Sequence, residues 1–78
     1  MKIDARGKSV EESLGSLRQI FEGVAEGIVT VILEERDKAE QLDRLVRKEG
    51  YCTGGVEETE EGFRLDVVKG YSCSLQRG

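Results

Sequence analysis

The sequence predicts a small α+β protein, a two-layer sandwich with the element order βαβαββ. Three observations carry this. Strand-like and helix-like patterns alternate with glycines between them. The β-branched run Ile28-Val29-Thr30-Val31-Ile32-Leu33 is nearly all apolar, as expected of an interior strand paired on both sides. The chain then closes on two alternating segments separated by a short acidic turn, the signature of a hairpin. Right-handed crossovers place both helices on one face of a four-stranded mixed sheet.

The first strand begins at Lys2 and runs to Ala5, with Ile3 and Ala5 on one face, and Arg6-Gly7-Lys8 turns the chain. Ser9 and Glu12 form a Ser-x-x-Glu capping box, in which the hydroxyl accepts from the amide three residues on and the carboxylate reaches back. Val10, Leu14, Leu17, Phe21 and Val24 recur at helical spacing as one apolar stripe. Gly15 weakens this helix by about 1 kcal/mol relative to alanine, and Gly23 suits its C-terminal cap.

Gly27 releases the chain into the interior strand. Asp37 and Glu40 repeat the capping logic for a second helix, whose inward positions are Ala39, Leu42, Leu45 and Val46. Arg47 and Lys48 in its last turn complement the helix dipole, and Gly50 takes the position after the cap. Tyr51 to Glu58 is the third strand, bulged at Gly54-Gly55. Thr59-Glu60-Glu61-Gly62 turns into the fourth, where Phe63, Leu65 and Val67 alternate with Arg64 and Asp66. Residues 1–70 form one domain and 71–78 a loose, polar tail.

Composition narrows the function. The chain has 78 residues, too few to bury a large core, so an oligomer or a partner would add stability. A net charge of −4 argues against a phosphate-binding surface and so against a nucleic-acid-binding module, which needs clustered Lys and Arg. No stretch approaches the roughly 20 apolar residues of a membrane span, and no apolar signal region follows the N-terminus, so the expected location is cytoplasmic. With no histidine and two distant cysteines, the sequence offers no metal-ligand pattern and implies no cofactor.

The Asp-Ala-Arg-Gly turn of Asp4 to Gly7, the order of elements, and the passage Arg47-Lys48-Glu49-Gly50-Tyr51 together resemble the TusA/SirA family of small sulfur carriers. The resemblance spans roughly residues 2 to 69. It implies strand order 1-2-4-3, with the Ile28 to Leu33 strand in the interior. It also implies sulfur-relay chemistry, in which a cysteine in a Cys-Pro-x-Pro motif takes a persulfide from a cysteine desulfurase or rhodanese and passes it on. A thiol at a helix N-terminus is kept as thiolate by the positive end of the dipole. Here the matching positions are Val10, Glu11, Glu12 and Ser13. Val10 cannot carry sulfur, the two carboxylates would repel a persulfide anion, and no cysteine occurs in residues 1 to 51. On this basis the chain is a degenerate member that binds a protein partner, such as a desulfurase or sulfur-relay protein, in sulfur or selenium metabolism.

Other features keep alternatives open. Cys73, with Cys52, is a candidate relocated thiol for an active sulfur carrier or sulfurtransferase; the bland reading is two incidental thiols. Both are expected to be free, because with the turn at Glu60-Glu61 Cys52 faces about Lys69. Cys73 then lies roughly 13 Å further on at about 3.3 Å per residue, beyond the ~7 Å a disulfide spans unless the tail folds back. Arg6, Lys8 and Ser9 flank the first helix start, where free amides can bind an anion, against the plainer reading of a solvated, capped turn. The acidic run Glu57 to Glu61 is either a dock for a basic partner or a solvated hairpin tip. Tyr51 and Tyr71 are interface anchors or packing residues. One aliphatic set of the interior strand must face away from the helices, as a surface for a partner or a homodimer or as a moderately apolar solvent face.

Overall fold

A computed structural model describes residues 1–70. The elements are β1 (Lys2–Asp4), α1 (Val10–Phe21), β2 (Gly27–Leu33), α2 (Arg36–Lys48), β3 (Cys52–Thr59) and β4 (Gly62–Lys69). They form one four-stranded sheet of order β1-β2-β4-β3. β1 runs parallel to β2, and the β2–β4 and β4–β3 pairs are antiparallel. The expected α+β two-layer sandwich is therefore the observed fold. The expected tail, 71–78, lies outside the described residues.

Both helices lie on one face of the sheet. Val29, Val31 and Leu33 of β2 with Leu65 and Val67 of β4 meet Leu14, Leu17 and Phe21 of α1 and Ala39, Leu42 and Val46 of α2. Each large side chain so buried contributes roughly 2 kcal/mol of transfer free energy. Leu45, expected inward, is only partly buried at the margin of this core. The C-terminal ends of the helices are tied to each other and to the sheet. Tyr51 stacks on Phe21 with ring centroids 5.1 Å apart, and Arg18 of α1 pairs with Glu49 just past α2.

Two local expectations need correction. The second helix is not capped by Asp37: Glu35 is the N-cap, makes no side-chain capping bond, and leaves Asp37 in the first turn. The carboxylate just before this cap has its own partners. Glu34 accepts from Lys38 at 3.0 Å, and the Lys38 ammonium, then the backbone N–H groups of Glu34 and Gly7, hold its pKa below the ordinary value. The second correction is register. The bulge between Thr53 and Val56 shifts the β3–β4 ladder by one residue, so Cys52 faces Val68 rather than Lys69.

The loop between β3 and β4 is two residues long. Thr59 pairs with Gly62, and its hydroxyl donates to the Gly62 carbonyl while accepting from the Glu61 amide. Gly62 has φ of 140° and lies against the Leu33 carbonyl, leaving no room for a Cβ.

Candidate functional site

The start of α1 is built by its own sequence. Ser9 is the N-cap, in extended conformation. Its Oγ accepts from the Glu12 amide at 3.0 Å, and Glu12 Oε1 accepts from the Ser9 amide at 3.0 Å. The predicted capping box is thus closed in both directions. Val10 is the first helical residue, and its side chain packs against the edge of the core. Glu11 and Glu12 are exposed. Ser13 is 1% exposed, and its hydroxyl donates to the Ser9 carbonyl at 3.0 Å, so it too is spent inside the turn.

The charged residues expected here are placed differently from one another. Arg6 turns away from the helix and grips Asp4 with two bonds of 2.8 and 2.7 Å, then reaches the Glu61 carbonyl at 3.2 Å. That grip drives the Asp4 carboxyl far below the usual range, mainly through hydrogen bonds from the Arg6 side chain and backbone. Lys8 is exposed beside the helix start, and its carbonyl lies 3.5 Å from Lys38 Nζ. With Ser9 in the cap and Gly7 near Glu34, the turn satisfies much of its hydrogen bonding internally. No nucleophilic or titratable side chain stands at the first helical position. Among the described residues no cluster of His, Cys, Asp and Glu suits a metal ion.

The open sheet face carries a second arrangement that the sequence alone did not disclose. Strand pairing lays its residues in rows. One row is Lys2, Thr30 and Asp66, and the next is Asp4, Ile32, Arg64 and Glu57. Lys2 pairs with Glu61 at 2.6 Å and Arg64 with Asp66 at 3.0 Å, while Thr30 Oγ1 donates to Asp66 at 2.7 Å. Burial raises the Asp66 pKa, yet the bonds from Thr30 and Arg64 outweigh it and the net shift is downward. Lys2, Thr30 and Arg64 line, with Ile32 and Glu61, a shallow open concavity of about 700 Å³. Ile32, although on this outer face, is only 2% exposed. The aliphatic face is therefore largely screened by ion pairs.

Much of the acidic run is spent in the same way. Glu61 is bound by Lys2, while Glu57 and Glu58 lie 3.9 Å from Arg64 and Arg36 respectively. Only alternation and charge are visible in the sequence; the partners come from β1, from α2 and from the other arm of the hairpin. Tyr51 is a packing residue against Phe21, and Tyr71 lies outside the described residues.

Cys52 is disulfide-bonded, which corrects the expectation of a free thiol there. Strand pairing places Cys52 in a row with Val68 and Ile28. Cys73 lies outside the described residues. No helix of the described residues is long and apolar enough to cross a membrane.

No protein-family model matches the chain, and no curated protein matches it. A solved structure does. The crystal structure of a SirA-like protein from Desulfitobacterium hafniense is similar with a TM-score of 0.70 and 25% sequence identity, covering 90% of this chain and 97% of that one. The chain has the SirA/TusA-like fold.

Proposed function

We propose that this SirA/TusA-like domain is a protein-binding accessory in sulfur or selenium metabolism, acting in the cytoplasm without carrying sulfur at the start of its first helix. The observation that carries this reading is the closed capping box of Ser9 and Glu12 around Val10. A carrier needs a thiolate at the positive end of the helix dipole. Here that end holds an aliphatic side chain followed by Glu11 and Glu12, which are favourable to the helix and hostile to a persulfide anion. The fold is retained while the group that would perform the transfer is lacking, which favours recognition over catalysis.

The partner in this reading is a protein of the sulfur relay, such as a cysteine desulfurase, that meets the β1–α1 turn. Lys8 is the exposed cation beside the helix start. The test is titration of the full chain into a cysteine desulfurase by calorimetry. Saturable binding that weakens in Lys8→Glu is expected; absence of binding at high protein concentration overturns the reading. Homodimerisation through the open sheet face would instead appear as a concentration-dependent change in sedimentation of the chain alone.

A further inference from the structure

We propose that the face of α2 carrying Gln41, Arg44, Leu45 and Lys48 is a docking surface for an acidic helical segment of a partner protein. That segment sets an aliphatic side chain on Leu45, between carboxylates for Arg44 and Lys48. The inference goes beyond the functional reading above and does not depend on it. The residues recur at the i, i+3, i+4, i+7 spacing of a single helix face. They line a shallow concavity of about 510 Å³. Gln41, Arg44 and Lys48 are exposed, and Leu45 is half-buried at the margin of the core with its remaining surface open to the concavity. At about 1.5 Å per residue, Lys48 lies roughly 15 Å along α2 from Lys38, whose ammonium reaches the Lys8 carbonyl beside the start of α1. This surface is therefore separate from the β1–α1 turn.

Charge indicates the occupant. α2 carries the cations Arg36, Lys38, Arg44, Arg47 and Lys48. Arg36 lies over the Phe63 ring with Glu58 at 3.9 Å, Lys38 holds Glu34, and Arg47 holds Asp43 and Thr53. Among the described residues, neither the Arg44 nor the Lys48 side chain has a hydrogen bond or an ion pair. Glu40 stands one turn before Arg44, yet the two do not pair. The chain holds 16 acidic residues against 12 basic ones, so the two cations are not left open by a shortage of carboxylates.

Their spacing is unfavourable in the chain alone. Arg44 and Lys48 stand at i and i+4, where like charges repel and cost the helix stability. The helix dipole offsets this for Lys48, in the last turn, but its effect has faded at Arg44, one turn earlier. Carboxylates from outside relieve the repulsion. The two cations are separated by about 6 Å along the axis, the spacing of carboxylates at i and i+4 on a second helix. Leu45 between them receives an apolar side chain of that helix, as in helix-in-groove recognition. A phosphate backbone offers charge with no aliphatic group for Leu45, and an anionic bilayer needs a broader apolar face than one half-buried leucine.

The test uses the isotope-labelled full chain, titrated by NMR with a synthetic alanine-based helical peptide. The peptide carries two glutamates four residues apart and a leucine on the same face. Saturable amide shifts centred on Gln41, Arg44, Leu45 and Lys48 are expected, with affinity falling severalfold as salt is raised. The double variant Arg44→Gln/Lys48→Gln alters only exposed side chains. It should weaken binding about tenfold or more while its urea midpoint stays at or above that of the parent. A peptide with glutamine in place of glutamate should shift none of these amides. Absence of saturable shifts at millimolar peptide, equal binding of the glutamine peptide, or unchanged binding in the double variant overturns the proposal. So does an equal loss in Lys2→Gln on the open sheet face, which would make the attraction non-specific. Tighter binding of phosphatidylserine vesicles or single-stranded RNA through Arg44 and Lys48 would also overturn it, assigning the face to another partner.

Discussion

Lys69 Nζ lies 2.7 Å from the carbonyl oxygen of Phe21, so the last residue of β4 caps the C-terminus of α1. The final strand thereby holds the first helix across a sequence separation of 48 residues. A cation at this end of a helix is favoured by the dipole, and a bond from a charged donor is stronger than a neutral one. Lys69→Met keeps most of the stem and removes the charge. It should lower unfolding free energy by about 1–2 kcal/mol, read as a lower urea midpoint at unchanged slope. An unchanged midpoint would show the bond to be idle.

Ser9→Ala removes the acceptor for the Glu12 amide and should destabilise by about 1 kcal/mol. Glu12→Gln retains a capping side chain and should cost less. Equal urea midpoints for Ser9→Ala and the parent would contradict the closed box at the start of α1.

Two glycines make opposite predictions. Gly15 lies within α1, and a Cβ there meets open space. Gly15→Ala should therefore stabilise by about 0.5–1 kcal/mol through helix propensity. Gly62 has positive φ and abuts the Leu33 carbonyl, so Gly62→Ala should cost more than about 2 kcal/mol. Thermal melts of the two variants should move in opposite directions; a Gly62→Ala protein that melts no lower than the parent would refute the hairpin geometry.

Acid should weaken the fold in a defined sense. Asp4, Glu34, Glu49 and Asp66 all have folded-state pKa values held below their ordinary ones. Such groups bind fewer protons folded than unfolded near the unfolded pKa. Their contribution is fully present above that pKa and is lost as pH falls from it through the lower folded-state value. Urea midpoints should decline from about pH 5 to pH 2, and Asp4→Asn and Asp66→Asn should each flatten the decline. A slope unchanged in both variants would remove these carboxylates from the account.

The local features were legible in the sequence because their causes are local. Ser9 and Glu12 lie three residues apart, and the β-branched run from Ile28 to Leu33 declares an interior strand without reference to anything else. The bulge at Gly54-Gly55 was visible too, but not its effect on register, which moved Cys52 from Lys69 to Val68. Asp37 looked like a cap because residue type alone favours it; the chain instead enters α2 two residues earlier, at Glu35. The screened outer face was beyond reach. Lys2, Glu61, Arg64 and Asp66 meet only after the crossovers set strand order, and alternation cannot say which charges will cover Ile32. At the helix start the sequence disclosed the absence of a thiol, while the turning of Arg6 toward Asp4 needed the fold.

The function proposed above is that of a SirA/TusA-like fold that binds a partner without carrying sulfur itself. The most direct measurement is intact mass of the full chain after incubation with a cysteine desulfurase and cysteine, compared with Cys73→Ser. The account predicts no persulfide adduct of about 32 Da on either protein. An adduct on the parent that disappears in Cys73→Ser would contradict it and make the chain a sulfur carrier with a relocated thiol.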